Sequence, residues 1–216
     1  MGWGNLRANG HPNGGPWRQL LCIACRRYFL ESLGTLFHGK CASVDLIVHV
    51  IACLAEGLGI RGTARVFEVE ANTVLQWLVE AAEQLRAFSQ HFLRDVRVQQ
   101  VLAACGWQIN TAFIERVNLT IRQHVAAVGR RVMTLCKGAE GLRQQLVLFH
   151  VYYNFCLPHA SLRVPLLQPE PTNGTGSTKQ WRPCTPAMAA GLMDRVWTLR
   201  EVLLFRVPLW PQPAGV

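Results

Sequence analysis

The sequence predicts a mainly α-helical protein, and three observations support this fold class. Apolar residues recur at helical spacing in several segments between residues 43 and 207. Strand signals are nearly absent, apart from a possible short hairpin before Cys22. Half of the 216 residues are hydrophobic and 16% are charged. Such a chain can bury a sizeable core, so a wholly disordered protein is excluded.

The first 40 residues are predicted to form a short hairpin that ends in a cysteine knuckle. Gly, Pro and Asn are frequent up to Leu20, and the run that follows reads LLCIACRRYF. The knuckle contains Cys22 and Cys25, which have the spacing of half a four-ligand zinc site. Only His11 and Cys41 could act as substitutes for the missing pair, so the sequence favours two free thiols over bound zinc. Two arginines follow the knuckle directly, Arg26 and Arg27.

Residues 41–97 are predicted to form three helices in a helix-turn-helix unit. The first helix has its apolar stripe between residues 44 and 55, and Gly57 provides a stop signal after it. Residues 61–67 can form a short second helix, and residues 72–88 a longer third one. We expect tight turns between these three helices.

The turn between the second and third helices carries the pattern that suggests DNA binding. Ala64 permits close approach of two helices, and Val69 can plug the turn. Asn72, Thr73 and Gln76 would then lie exposed at the start of the recognition helix, where they could meet base edges. The alternative is an ordinary three-helix bundle whose polar residues face water. Four glutamates reduce phosphate attraction in this region: Glu68, Glu70, Glu80 and Glu83.

Further helices are predicted beyond residue 97. One begins near Thr111, and a second extends from 141 to about 155 and should stop before Pro158. Residues 164–186 are rich in Pro and Gly and are predicted to be a flexible linker. Residues 187–216 should hold a last helix, from 187 to 207, and a tail. Three polar residues of the helix near Thr111 share one face: Glu115, Asn118 and Arg122.

The charge of the chain favours a polyanionic partner. Twenty-two Lys and Arg against 13 Asp and Glu give a formal net charge of +9, which is typical of proteins that bind nucleic acid. The apolar runs are too short to span a membrane, and the first 15 residues contain no apolar stretch typical of a signal peptide. We therefore expect a cytoplasmic protein with no membrane partner.

The order of several motifs resembles bacterial insertion-sequence transposases. The closest group has an N-terminal zinc ribbon and a helix-turn-helix ahead of an RNase H-like DDE catalytic domain. The likeness covers about 20–97 and 106–207. The motifs that carry it are, in chain order, residues 22–29, 54–67, 110–122, 153–163 and 185–192.

The resemblance implies a cut-and-join reaction on DNA, in which three acidic residues hold two Mg²⁺ ions. Glu115 matches the third acid, which makes residues 98–163 a remnant of the α/β catalytic domain and residues 1–40 part of a zinc ribbon. No Asp or Glu lies between Gln99 and Glu115, and the segment is too short for an RNase H-like sheet. We therefore expect an internally deleted, N-terminally truncated transposase that neither binds Mg²⁺ nor cleaves DNA.

The expected function is binding of double-stranded DNA at the terminal repeats of the element, in the bacterial nucleoid. Self-association, or association with a full-length transposase, would add a regulatory role. The side chains expected to contact DNA are Arg26, Arg27, Arg61, Arg65, Asn72, Thr73, Gln76, Arg116, Arg122, Arg130 and Arg131.

Three other interpretations remain open at this point. The chain could be a gene fragment without function whose product folds poorly, or a helix-turn-helix transcriptional regulator. An active enzyme would need another polypeptide to supply the two missing acids. A fragment would expose apolar side chains that have lost the sheet beneath them, namely Phe113, Ile114, Val117, Leu146, Phe149 and Tyr153.

Overall fold

The computed structural model describes residues 5–93, 111–128, 138–171 and 177–207. These ranges contain seven α-helices and two small antiparallel sheets, so the mainly α class is confirmed. No helix within them is long and apolar enough to cross a membrane.

A three-stranded antiparallel sheet opens the described chain. Its strands are β1 (Leu6–Ala8), β2 (Gln19–Cys22) and β3 (Tyr28–Leu30), in the order β1-β2-β3. The hairpin predicted before Cys22 corresponds to β1 and β2, which pair Leu6 with Cys22, and β3 adds a third strand after the cysteine knuckle. Because β3 is only three residues long, it carries too little alternation to be recognised in the sequence.

Three helices follow in the predicted order. Helix α1 (Val44–Ala55) begins at Ser43, whose hydroxyl accepts a hydrogen bond from the N–H of Leu46 at 3.2 Å. It ends at Ala55, and Gly57, two residues later, has a φ of 91°. Helix α2 extends over Ile60–Val66 and helix α3 over Ala71–Leu93.

These helices share one hydrophobic core. Each contributes the face that its apolar spacing predicts, and Trp17 packs against the same core from the segment before β2. Fully buried side chains from α1, α2 and α3 meet there, including Ile47, Ile51, Ile60, Val74 and Leu78.

The second half of the chain packs on α3. Helix α4 covers Thr111–His124, and helix α5 covers Ala139–Val151 and lies along α3. A π-helix, Tyr152–Cys156, continues α5 and ends before Pro158, where the sequence predicted a stop.

The segment 164–186 differs from the predicted flexible linker. It contains a two-stranded antiparallel ribbon formed by β4 (Val164–Glu170) and β5 (Lys179–Arg182). Prolines suggested a linker here, yet Pro165 and Pro169 lie in a strand that has only one partner, where a missing N–H is tolerated. The ribbon is exposed along nearly its whole length.

The predicted last helix is also divided in two. Helix α6 (Pro186–Ala189) ends at Gly191, whose φ of 70° reverses the chain, and helix α7 covers Leu199–Leu204. Thr198 caps α7 by accepting a hydrogen bond from the N–H of Glu201 at 3.2 Å. The apolar spacing did not indicate this break because both short helices bury their apolar residues in the same core.

An aromatic cluster ties the end of the chain to the extended C-terminal part of α3. Phe88 is fully buried, and its ring lies 4.7 to 5.9 Å from four other aromatic rings. The sequence placed the end of the third helix at residue 88, whereas α3 continues to Leu93 to supply part of this cluster. The neighbours of Phe88 are Phe92, Phe155, Trp197 and Phe205.

The apolar side chains that a gene fragment would expose are mostly covered in the structure where it describes them. Phe149 is 7% exposed, and Leu146 and Tyr153 are half-buried. Val117 is 44% exposed, as expected. Leu146 and Phe149 lie on α5, and α5 packs its apolar side against α3. The same prediction included Phe113 and Ile114, whose side chains are not among those that the structure describes.

Candidate nucleic-acid interface

Helices α2 and α3 are joined by a short turn with a defined backbone. The N–H of Phe67 donates to the carbonyl of Thr63 at 3.1 Å, and the N–H of Val69 donates to the carbonyl of Ala64 at 3.0 Å. Between them, Glu68 has a φ of 55°, the left-handed conformation that often ends a helix. The direction in which α3 leaves α2 is therefore fixed by the backbone of this turn.

Small and apolar side chains hold the two helices together. Ala64 is buried in the same cluster as Val74 and Leu78 of α3, and Val69 packs against that cluster from the turn. The packing roles that the sequence assigned to Ala64 and Val69 are confirmed.

Two arginines lie exposed on the outer side of α2. Arg61 and Arg65 are four residues apart and so share a face of the helix. Neither has an ion-pair partner among the described residues. A guanidinium without a carboxylate partner is available for a phosphate. Both border a shallow depression of about 410 Å³, whose other walls are Ala64, Glu68, Val69 and Ala71.

The polar side chains at the start of α3 are only partly available. Asn72 and Gln76 are exposed, while Thr73 is half-buried. The amide of Asn72 donates to Glu70 Oε1 at 3.2 Å, and the amide of Gln76 donates to Glu80 Oε1 at 2.9 Å. Contact with bases would require both amides to exchange these carboxylate partners.

The negative charge beside this surface is partly neutralised. Lys40 Nζ lies 2.7 Å from Glu80 Oε2. Glu68 and Glu83 have no basic partner within the described part of the chain. Glu70, which accepts from the Asn72 amide, has no ion pair there either. The repulsion of phosphate predicted from the sequence therefore persists at these three carboxylates, of which Glu68 borders the same depression as the arginines.

The turn between β2 and β3 presents a second basic site. Arg26 and Arg27 are exposed there and have no ion pair among the described side chains. The same turn holds Cys22 and Cys25: the N–H of Cys22 donates to the carbonyl of Arg27 at 3.0 Å, and the N–H of Arg26 donates to the carbonyl of Cys22 at 2.8 Å. Hydrogen bonds from the backbone and side chain of Cys25 lower the pKa of Cys22.

The described residues do not complete a metal site within one chain. No group of three or more His, Cys, Asp or Glu in that part of the structure is arranged to hold a metal ion. Neither His11 nor Cys41 joins the cysteine pair as a third ligand. Among the described residues zinc therefore finds only Cys22 and Cys25 here, and two ligands do not fill a structural zinc site.

Helix α4 exposes the residue that the resemblance connects with catalysis. Glu115 is exposed and has neither a hydrogen bond nor an ion pair with another described side chain. Arg116 and Arg122 are exposed on the same helix. One isolated carboxylate does not fit a two-metal magnesium site. Two other arginines expected to contact DNA, Arg130 and Arg131, lie outside the described residues.

A polar cluster that the sequence did not reveal joins the end of α1 to the end of α4. The hydroxyl of Tyr152 donates to Glu56 Oε1 at 2.5 Å, and His124 Nδ1 lies 3.7 Å from Glu56 Oε2. Gly57 makes this approach possible, because a Cβ at that position would lie 2.4 Å from the carbonyl oxygen of Gln123. These partners are up to 96 residues apart in the sequence, so no local pattern could indicate the contact.

The π-helix and the residues after it supply buried neutral groups rather than reactive ones. Burial raises the pKa of the Cys156 thiol to about 12, and burial together with the neighbouring Glu56 raises the pKa of Tyr152. Burial lowers the pKa of His159, whose ring packs edge-on against Tyr153 at 4.3 Å. The neutral forms of this thiol, phenol and imidazole are therefore favoured at these three half-buried positions.

Comparisons with models of protein families, with curated proteins and with solved structures give no match to this chain.

Proposed function

We propose that the chain is a sequence-specific binder of double-stranded DNA, related to insertion-sequence transposases and without strand-cleaving activity. The observation that carries the proposal is the α2–turn–α3 arrangement, in which Arg61 and Arg65, without an ion pair in the described part of the chain, lie beside the exposed start of α3. This is the arrangement a helix-turn-helix needs to contact phosphates and base edges together.

The two helices would have different tasks on DNA. Arg61 and Arg65 would hold phosphates along one edge of the major groove, while α3 enters the groove with its first turns. Asn72 and Gln76 would supply hydrogen bonds to bases after leaving Glu70 and Glu80. The net charge of +9 supports association at low salt.

The absence of catalysis in this proposal rests on Glu115. Its carboxylate is exposed and belongs to no group of three or more His, Cys, Asp or Glu among the described residues, so those residues form no two-metal clamp around it. In this view residues 98–163 are what remains of a catalytic domain, and the chain would compete with a full-length transposase for its DNA ends.

We expect no nicking of end-containing DNA in Mg²⁺ or Mn²⁺. Cleavage that disappears in the Glu115→Gln variant would contradict this expectation.

Fluorescence anisotropy tests the binding proposal. A labelled duplex carrying the terminal repeat of the encoding element is titrated against a scrambled duplex at several salt concentrations. The proposal requires preference for the repeat that persists at physiological salt. Equal binding of both duplexes with a steep salt dependence would show that only net charge is acting, and would overturn it.

A pair of double variants locates the interface. Replacing Arg61 and Arg65 together by alanine should weaken binding of the repeat by at least about tenfold. It should also reduce the slope of the logarithm of the binding constant against the logarithm of salt concentration by about 1 for each phosphate that is no longer neutralised. The control removes the same charge elsewhere, at Arg7 and Arg143, which are exposed on β1 and α5. Similar losses of affinity in both double variants would contradict the proposed docking.

A further inference from the structure

The β4–β5 ribbon is fixed to the rest of the molecule at its base and is open to solvent beyond it. At the base, the guanidinium of Arg182 donates to the carbonyl of Asp194, and the N–H of His159 donates to the carbonyl of Cys184 at 2.9 Å. Every residue of the two strands except Leu166 is exposed. The strands therefore pair with each other and leave both faces of the ribbon largely accessible.

Several exposed side chains of this ribbon are apolar. Leu167 is fully exposed, Val164 is 50% exposed and Trp181 is 41% exposed. Pro165 lies opposite Trp181 in the register, so these two side chains share a face. Single exposed apolar residues are ordinary, whereas several on one small element indicate a contact surface.

The charge of the ribbon indicates that its partner is anionic. Residues 163–182 contain three basic residues against one acidic residue, a net charge of +2. Lys179 Nζ lies 3.4 Å from Glu170 Oε2, so these two charges compensate each other. Arg163 and Arg182 form no ion pair with another described residue, and the positive charge of the ribbon is therefore theirs.

The two arginines lie together at the base of the ribbon. Arg182 is the register partner of Val164, which follows Arg163 directly. The guanidinium of Arg163 lies 4.4 Å from the centre of the Trp181 ring. Stacking of this kind uses the flat face of a guanidinium and leaves the N–H groups at its edge for phosphate oxygens. A ligand that fits this surface has phosphates close to apolar groups.

Duplex DNA has both features. The major groove of B-DNA is about 12 Å wide and admits a two-stranded ribbon. Phosphates border the groove, and thymine methyl groups offer apolar contacts inside it. A protein partner that adds a strand is disfavoured, because Pro165 and Pro169 offer it no N–H along β4.

We propose that the β4–β5 ribbon is a second contact surface for duplex DNA, separate from α2 and α3. Arg163 and Arg182 bind phosphates, and the exposed apolar side chains face the groove. This inference rests on the proposed function, because it requires that the chain binds duplex DNA. The ribbon contact adds affinity for any duplex, whereas preference for the terminal repeat comes from α3.

A charge introduced at Leu167 tests the ribbon. Because Leu167 is fully exposed, Leu167→Glu removes no packing and adds a negative charge to the proposed contact surface. We expect it to weaken binding of the repeat and of the scrambled duplex by about tenfold each, because like charges then meet. Fluorescence anisotropy at fixed salt measures both affinities.

Two further variants make this test specific. Leu33→Glu is the matched control, since Leu33 is an exposed leucine outside the ribbon, and it should bind both duplexes nearly as the parent does. Leu167→Lys should strengthen binding of both duplexes, whereas loss of the ribbon structure would weaken it. The opposite signs of the two Leu167 variants separate an effect of charge from an effect of folding.

Hydroxyl-radical footprinting separates the ribbon from the helix-turn-helix. At saturating concentration, the parent protein should protect two sets of nucleotides on a duplex that extends beyond the repeat. Leu167→Glu should lose one set and keep the other. The double variant Arg61→Ala, Arg65→Ala should show the reverse.

The outcomes distinguish this inference from the proposed function. Equal affinities of Leu167→Glu and Leu33→Glu, or an unchanged footprint in Leu167→Glu, would overturn the ribbon contact and leave preference for the repeat intact. Equal binding of both duplexes by the parent, with the loss confined to Leu167→Glu, would overturn sequence-specific binding and support the ribbon contact. Absence of binding to any duplex would overturn both.

Discussion

Glu68 occupies a backbone position that glycine usually fills. Its φ of 55° lies at the end of α2, where the hydrogen bond from Val69 to Ala64 closes the turn. A side chain in this conformation is disfavoured because its Cβ approaches the backbone. The same motif ends α1, where Gly57 supplies the left-handed residue.

We expect Glu68→Gly to stabilise the protein by about 1 kcal/mol, because the strain at this position is relieved. The free energy of unfolding, measured in urea, checks the change. Glu68→Ala is the control: it removes the same charge and keeps the Cβ, so it should leave stability nearly unchanged. Equal stabilisation by both variants would assign the effect to charge rather than to backbone strain.

At Gly57, by contrast, the backbone conformation and the close neighbouring chain both require glycine. We expect Gly57→Ala to destabilise the protein by about 1–3 kcal/mol, because its Cβ would overlap the carbonyl of Gln123 and its φ is 91°. Thermal unfolding followed by circular dichroism measures the loss. Gly62→Ala on α2 meets no atom within 4 Å and should be neutral or slightly stabilising. Comparable losses of stability in the two variants would contradict the close approach of α1 and α4.

At the scale of elements, the sequence predicted best where apolar periodicity was long. Helices α1, α2 and α3 lie within a few residues of their expected bounds because each must bury one face of a common core. The β4–β5 ribbon was missed because its strands are held by pairing with each other and bury almost no side chain. The α6–α7 break was missed because the helix ends before Gly191 and a new one begins after Thr198, while apolar residues of both helices pack in the same core.

The candidate site was predicted unevenly for related reasons. Exposure of Arg61, Arg65, Asn72 and Gln76 follows from helical spacing, so the sequence was sufficient to place them. The carboxylate partners of the two amides depend on rotamers, and the Lys40–Glu80 ion pair joins residues 40 positions apart. Periodicity contains no information about such pairings.

The N-terminus of α7 should respond to acid. Its capping box joins Thr198 to Glu201, and the hydrogen bond from Arg195, followed by that from the Thr198 N–H, lowers the pKa of Glu201 from 4.5 to about 2. Because the pKa is lower in the folded than in the unfolded chain, this stabilisation is complete above pH 4.5 and is lost as the pH falls towards 2. We expect Glu201→Gln to flatten the dependence of unfolding free energy on pH in that window.

Thr198→Ala provides a test of the same cap that does not depend on pH. Loss of the hydroxyl that accepts from the N–H of Glu201 should cost about 1 kcal/mol at neutral pH. If Glu201→Gln and the parent protein lose stability in parallel between pH 4.5 and 2, Glu201 is not the responsible group.

On the scale of the whole molecule, α3 connects the two halves of the chain. Its first part packs with α1 and α2, and its last part packs with α5, α7 and the aromatic cluster around Phe88. Gln84 reinforces this connection: its carbonyl accepts from the N–H of Leu36, and its amide donates to the carbonyl of Leu203.

The shared core predicts a single cooperative unfolding transition. We expect helix content and tryptophan fluorescence to change together, and Phe88→Ala to lower stability by about 3–5 kcal/mol while keeping one transition. Leu167→Ala is the control, since Leu167 is fully exposed on β4 and should change stability by less than about 0.5 kcal/mol. Two separate transitions would show that the halves fold independently.

The length of α3 has a geometric consequence for a DNA complex. Its 23 residues span about 35 Å at 1.5 Å per residue, whereas the major groove is only about 12 Å wide. In the proposed complex the groove holds the first turns, and the remainder lies outside the groove, where α5 and α7 pack against it. Because α7 packs near the far end of α3, a small rotation of α3 in the groove becomes a displacement of several ångströms at α7.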